Sequence, residues 1–142
     1  MVKVQSSKII DSPQERIFLV VKDIDRLPSL FPNRYKDMKI LERSENHLLT
    51  EETVVMAGKV IHQKVRHAIE PSRMVRSEVI QGETKGTVVT IELHSISEKS
   101  TEVKIDADIK FGKLGSVLGI FAKGKIKKEI EHIIEEFDRS VR

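Results

Sequence analysis

The sequence predicts an α+β fold in which a curved antiparallel sheet of about seven strands wraps one long C-terminal helix. Three observations carry this prediction. From Leu114 to Val141 apolar residues recur at helical spacing, at Val117, Leu118, Phe121, Ile126, Ile130, Ile133, Ile134, Phe137 and Val141. The middle of the chain is a series of alternating apolar and polar runs separated by short turn signals. Between a first strand and that series lie two short helical stretches, and nothing like them recurs before the end. The expected order is therefore β-α-α-β6-α.

Taken in order, Val2–Ile10 opens as an alternating strand. Asp11-Ser12-Pro13 reads as a helix start, with a capping side chain, Pro at the first helical position and Glu15 in the first turn. Ile17, Phe18, Val20, Val21 and Ile24 form one apolar stripe. Asp25 opens a second short helix carrying Leu27, Leu30 and Phe31, which Pro32 ends. Strands are expected at Met38–Glu42, Leu48–Ala57, Val60–Ile69, Met74–Ile80, Thr87–Ile96 and Thr101–Phe111. Their short connections imply antiparallel pairing of neighbours. An unbroken helix over the C-terminal stretch would be roughly 40 Å long, enough to cover such a sheet.

Alternation assigns faces. Val103, Ile105, Ala107, Ile109 and Phe111 point one way, and so do Val89, Ile91 and Leu93. Ile61, Val65 and Ile69 share their face with two polar residues, Gln63 and His67. Ser77 lies inward between Val75 and Val79. For Leu48–Ala57 the pattern leaves both Glu51 and Glu52 as candidates for the inner face.

The last helix has two unusual features. Gly115, Gly119 and Gly124 each cost about 1 kcal/mol relative to Ala in a helix interior. They fit close packing, a loop before the true start, or a helix end that leaves room over a cavity. Its charges also oppose the helix dipole, with Lys123, Lys125, Lys127 and Lys128 preceding Glu129, Glu131, Glu135, Glu136 and Asp138. The lysines form either a solvated face or a basic rim toward anionic head groups.

Composition narrows the function classes. The 142 residues are expected to form one domain spanning 1–142. A formal charge of +3, with acids and bases interleaved, does not mark a nucleic-acid binder. No Cys is present, so thiol chemistry and Cys-based metal sites are excluded. The histidines lack metal-ligand spacing, and His62 and His67 should face opposite sides of their strand. No nucleophile-elbow, phosphate-loop or dinucleotide fingerprint occurs, so no cofactor is expected. Without a signal-like N-terminus or a spanning apolar run, a cytoplasmic location is expected.

The chain resembles the START-like, or helix-grip, superfamily, and within it the polyketide cyclases and coenzyme-Q-binding proteins. The order of elements matches throughout. More specifically, Val20-Val21-Lys22-Asp23-Ile24-Asp25-Arg26-Leu27-Pro28-Ser29-Leu30-Phe31-Pro32 resembles that superfamily's "V-x-D-x-x-x-Y-P-x-F-x-P" stretch, with Leu27 where an aromatic residue is common. The resemblance implies an apolar tunnel between sheet and helix for a lipid, isoprenoid quinone or polyketide-like molecule. Ile61, Val65, Val89, Ile91, Val103, Ile105, Leu118 and Phe121 would line it. Gln63, His67 and Ser77 would supply its polar groups, and Lys123, Lys125 and Lys127 would meet a peripheral anionic membrane surface. A binding protein is the first expectation. The alternatives are a cyclase- or dehydratase-type enzyme using His67 with a Glu partner, and a protein docking on RNA or a ribosome through its lysine-rich helix.

Overall fold

The computed structural model describes the backbone of residues 2–56, 58–112 and 115–142, and the side chains of all of these except 115–122. The elements are β1 (Val2–Ile10), α1 (Gln14–Val21), a single 3-10 turn (Ile24–Arg26), α2 (Leu27–Leu30), β2 (Tyr35–Arg43), β3 (His47–Met56), β4 (Lys59–Glu70), β5 (Met74–Gly82), β6 (Val88–Ser97), β7 (Ser100–Ile109) and α3 (Gly115–Val141). This is the expected order, with each strand overlapping the run where alternation placed it.

All seven strands form one antiparallel sheet in the order β1-β7-β6-β5-β4-β3-β2. Consecutive strands pair through short turns, and the sheet is completed when β1 adds beside β7, from Val2↔Ile109 to Ile10↔Thr101. Register shifts within β2 and between Lys64 and Val65 in β4 mark irregularities of the kind that bend a strand. Gly82, at the end of β5, has φ +123°, and a Cβ there would lie 2.5 Å from the His62 carbonyl oxygen. Only glycine lets β5 approach β4 this closely.

The inner face of the sheet and one stripe of α3 form the core. In β7, Val103, Ile105, Ala107 and Ile109 are buried, and in α3, Ile126, Ile130, Ile134, Phe137 and Val141 are buried. α1 closes one end by burying Ile17, Phe18 and Val21. The acids near the end of α3, placed against the helix dipole, have tertiary partners. Lys8 on β1 reaches Glu135 at 2.7 Å and Asp138 at 2.9 Å, and Arg142 bonds Asp138 at 2.8 Å. The two Lys8 bonds tie the helix to the edge strand, so specific bonds outweigh a modest dipole penalty.

Three local expectations are corrected. Ser12 does not cap α1; Pro13 occupies the cap position with no side-chain bond, and the Ser12 hydroxyl has no partner among the described residues. Burial of Ser12 at the β1–α1 corner turns it toward β7, where its carbonyl accepts from Thr101 Oγ1 at 2.9 Å. β2 begins at Tyr35 rather than Met38, because Tyr35 pairs with Val54 directly after the Phe31–Arg34 turn. A Cβ on Gly124 would meet nothing within 4 Å, so close packing does not explain that glycine. Gly115 and Gly119 lie outside the residues with described side chains.

Hydrogen bonds from Arg142 and then Lys8 hold the Asp138 carboxyl at about 2, against an ordinary 3.8. A depressed carboxylate value stabilises the fold above the ordinary value and loses that contribution as pH falls through the depressed one. Acid unfolding monitored by circular dichroism should therefore be shallower between about pH 4 and pH 2 in Asp138→Asn than in the parent. Superimposable acid limbs would show that this pairing contributes nothing to folding.

Candidate functional site

Two groups of side chains on the inner side of the sheet have chemical potential: a buried polar row across β3, β4 and β5, and a cleft at the mouth between the sheet and α3.

The polar row follows from pairing register. Glu52 lies opposite Gln63, and Leu48 opposite His67; His67 in turn lies opposite Ser77. With a two-residue side-chain period, Thr50, Glu52, Gln63, His67 and Ser77 share the inner face. The expectation that Gln63 and His67 sit among Ile61 and Val65 is met. The ambiguity between Glu51 and Glu52 resolves with Glu52 inside, 3 % exposed, and Glu51 outside.

The row forms a continuous hydrogen-bonded series. Thr50 Oγ1 donates to Glu52 Oε2 at 2.6 Å. Gln63 Nε2 donates to Glu52 Oε1 at 3.1 Å, and Thr84 Oγ1 donates to Gln63 Oε1 at 3.2 Å. His67 Nε2 lies 3.0 Å from Thr50 Oγ1 and 3.5 Å from Glu52 Oε2, while its Nδ1 lies 2.7 Å from Ser77 Oγ. Because Thr50 commits its one proton to Glu52, Nε2 of His67 must be the donor to Thr50. In its neutral form the ring then accepts the Ser77 hydroxyl proton at Nδ1.

Burial works against a charge on Glu52, but the neighbouring His67 ring and the hydrogen bonds from Thr50 and Gln63 outweigh it and hold the carboxyl below its ordinary range. The same negative charge reaches the next residues outward. Burial, with Glu52 adding to it, pushes the Tyr35 hydroxyl up to about 12. Arg34 loses solvation, yet Tyr35, Glu129 and Glu52 together raise its value above that of an ordinary guanidinium.

Arg34 leads to the cleft. Its backbone is fixed, its N–H donating to Phe31 and its carbonyl accepting from Val55 at 2.7 Å. Its side chain reaches across to α3, where Nη1 lies 2.5 Å from Glu129 Oε2. Around this ion pair is an outer cleft of about 340 Å³, lined by the α2–β2 turn, Val55 and one face of α3. The turn contributes Phe31 and Pro32, and α3 contributes Lys128, Glu129, His132 and Ile133. His132 meets Phe31 edge-on, with ring centroids 5.8 Å apart. Behind the pair lies an inner cavity of about 50 Å³, walled by aliphatic side chains that include Val89, Ile91, Ile105, Ile126 and Ile130. Arg34, Glu129 and Ile133 border both spaces.

The sequence-predicted lining residues therefore divide. Val89, Ile91 and Ile105 border the inner cavity. Ile61, Val65 and Val103 are buried in the sheet face beyond it. Gln63, His67 and Ser77 come together, bonded within their row. Leu118 and Phe121 lie outside the residues with described side chains. Lys123, Lys125 and Lys127 are exposed on α3. Sequence reasoning missed Arg34, Glu129 and His132. Arg34 and Glu129 are 95 positions apart, and no local pattern joins them. One signal did point there: the Leu30-Phe31-Pro32 end of the singled-out stretch forms the cleft wall.

No family model matches the chain, and no curated protein sequence matches it significantly. Solved structures do. A protein from Thermus thermophilus superimposes with a TM-score of 0.84 at 15% identity, over 99% of this chain and 97% of that one. A START superfamily protein from Mycobacterium smegmatis gives 0.81 at 17% identity, over 98% and 96%. The Zhui aromatase/cyclase from Streptomyces sp. R1128 gives 0.66 at 16% identity, over 99% and 87%. The chain thus has the helix-grip fold of the START-like superfamily, as its element order implied.

Replacing His67 by Ala removes partners from Thr50, Glu52 and Ser77 in a region closed to water. We expect urea unfolding to show a loss of about 1–3 kcal/mol at pH 7. The loss should shrink as pH falls through the depressed Glu52 value, below which the protonated carboxyl no longer needs the donors that hold it ionised. A pH-independent loss would assign the effect to packing alone.

Proposed function

We propose that this protein holds an apolar small molecule between the sheet and α3, entering through the cleft beside Arg34. The observation that carries the reading is the pair of adjoining spaces: a ligand-sized cleft that shares Arg34, Glu129 and Ile133 with an aliphatic inner cavity. Binding sites of this kind combine mostly apolar walls with a few polar groups that fix orientation. Val89, Ile91 and Ile105 make the apolar floor, with Ile61, Val65 and Val103 packed beyond it. Transfer of apolar surface from water supplies the affinity, at about 25 cal/mol per Å². The fold shared with a START superfamily protein and an aromatase/cyclase supports a ligand-holding role. The molecule we have in mind is a lipid, an isoprenoid quinone or a polyketide-like compound. Among the described residues no helix is long and apolar enough to cross a membrane. Lys123, Lys125 and Lys127 are exposed, as contact with an anionic membrane surface requires.

A second reading, acid–base catalysis at His67, is favoured by Glu52 lying 3.5 Å from its ring. It requires substrate to reach a histidine that is 3 % exposed. His67 borders none of the cavities described above, so simple binding is the better supported function.

Native mass spectrometry of gently purified protein, with a denatured control, tests the binding reading. A discrete added mass that disappears on denaturation is expected. Val89→Phe, which fills the inner cavity, should reduce that adduct without lowering the melting temperature. Val65→Phe forces bulk into a packed position and should cost about 1–3 kcal/mol of stability. Full retention of the adduct by Val89→Phe would place the ligand elsewhere.

A further inference from the structure

We propose that Arg34, exchanging Glu129 for the ligand, recognises the polar end of the bound molecule, and that this end is a carboxylate on an aliphatic body. The inference rests on the ligand-holding function above and names the ligand's chemical class.

Four observations support it. First, among the described residues Arg34 and Glu129 are the charged side chains bordering the inner cavity, and its remaining walls are aliphatic or Met56. A molecule that spans cavity and cleft must therefore place some part of itself against this pair. Second, the pair is accessible: the Arg34 side chain is 28% exposed and that of Glu129 40%. Ion pairs this open contribute little net stability, so exchange of one partner costs little.

Third, the two possible exchanges are unequal. If a cationic ligand took Glu129, the Arg34 guanidinium would lose its direct partner inside a cleft already lined by Lys128 and His132. If a carboxylate took Arg34, Glu129 would turn from a half-exposed helix position into water, where its charge is solvated. The planar guanidinium fork can hold a carboxylate through two parallel hydrogen bonds. Fourth, the other acid within electrostatic reach is already committed. Both Glu52 oxygens accept hydrogen bonds from within the polar row, Oε1 from Gln63 and Oε2 from Thr50. Glu52 therefore favours the Arg34 charge at a distance and leaves its donors for a ligand.

The Arg34 backbone adds preorganisation. Its hydrogen bonds to Phe31 and Val55 fix where the side chain starts, so binding needs to order only the side chain.

Isothermal titration with dodecanoate and dodecan-1-ol, both below their aggregation concentrations, tests this at pH 8. The parent protein should bind dodecanoate about 10-fold tighter than the alcohol, a difference of about 1.4 kcal/mol. Arg34→Met should bring the ratio of the two affinities to near one. Glu129→Gln removes the competing carboxylate from a half-exposed site that tolerates substitution, and should raise the ratio several-fold. Equal affinities in the parent, or a ratio untouched by both substitutions, would overturn carboxylate recognition while leaving apolar binding intact. Binding of neither probe by the parent would overturn the ligand-holding function together with this inference.

Discussion

A carboxylate buried at 3 % exposure, that of Glu52, constrains the inner face of the sheet across β3, β4 and β5. An ionised group removed from water costs several kcal/mol unless hydrogen bonds and opposite charge replace its solvation. Here Thr50, Gln63 and His67 supply the hydrogen-bonding environment, and Ser77 and Thr84 complete the partners of His67 and Gln63. Neighbours on β3, β4, β5 and the β5–β6 turn are thus fixed by one charge. Its influence continues outward, because the same charge raises the Tyr35 hydroxyl and supports the Arg34 cation.

Apolar burial and ion pairs both hold the described length of α3 to the sheet. Toward its end, α3 is fixed twice, by the apolar stripe Ile126, Ile130, Ile134, Phe137 and Val141, and by Lys8 reaching Glu135 and Asp138. Beside Ile126 and Ile130, α3 also meets the sheet side through the partly exposed Arg34–Glu129 pair. Hydrophobic burial thus holds this length of α3 to the sheet, and partly exposed ion pairs at Glu135 and Glu129 lie beside it.

Much of the fold was legible because its signals are local. Two-residue alternation in Val103–Ile109 and the 3.6-residue stripe from Ile126 to Val141 each follow from the geometry of one element. The polar row was half legible. Gln63, His67 and Ser77 could be placed on the apolar face by counting along their own strands. The choice between Glu51 and Glu52 could not, because Val55 and Val54 supported opposite phases. Ser12 was misjudged as a cap because the cap signal is common to exposed corners, and its burial against Thr101 arises only when β1 pairs with β7.

By itself the sequence determined the antiparallel sheet, the single long helix and the mixture of polar and apolar residues on the inner face. Those features depend on periodicity, which is written into neighbouring positions. Tertiary structure decided which glutamate enters the core, where the cleft opens and which arginine borders it. Arg34 and Glu129 meet only after the sheet has curved and α3 has docked on it. The energy of that meeting depends on burial and on the Glu52 charge beyond it, and both are properties of the assembled fold rather than of any segment of chain.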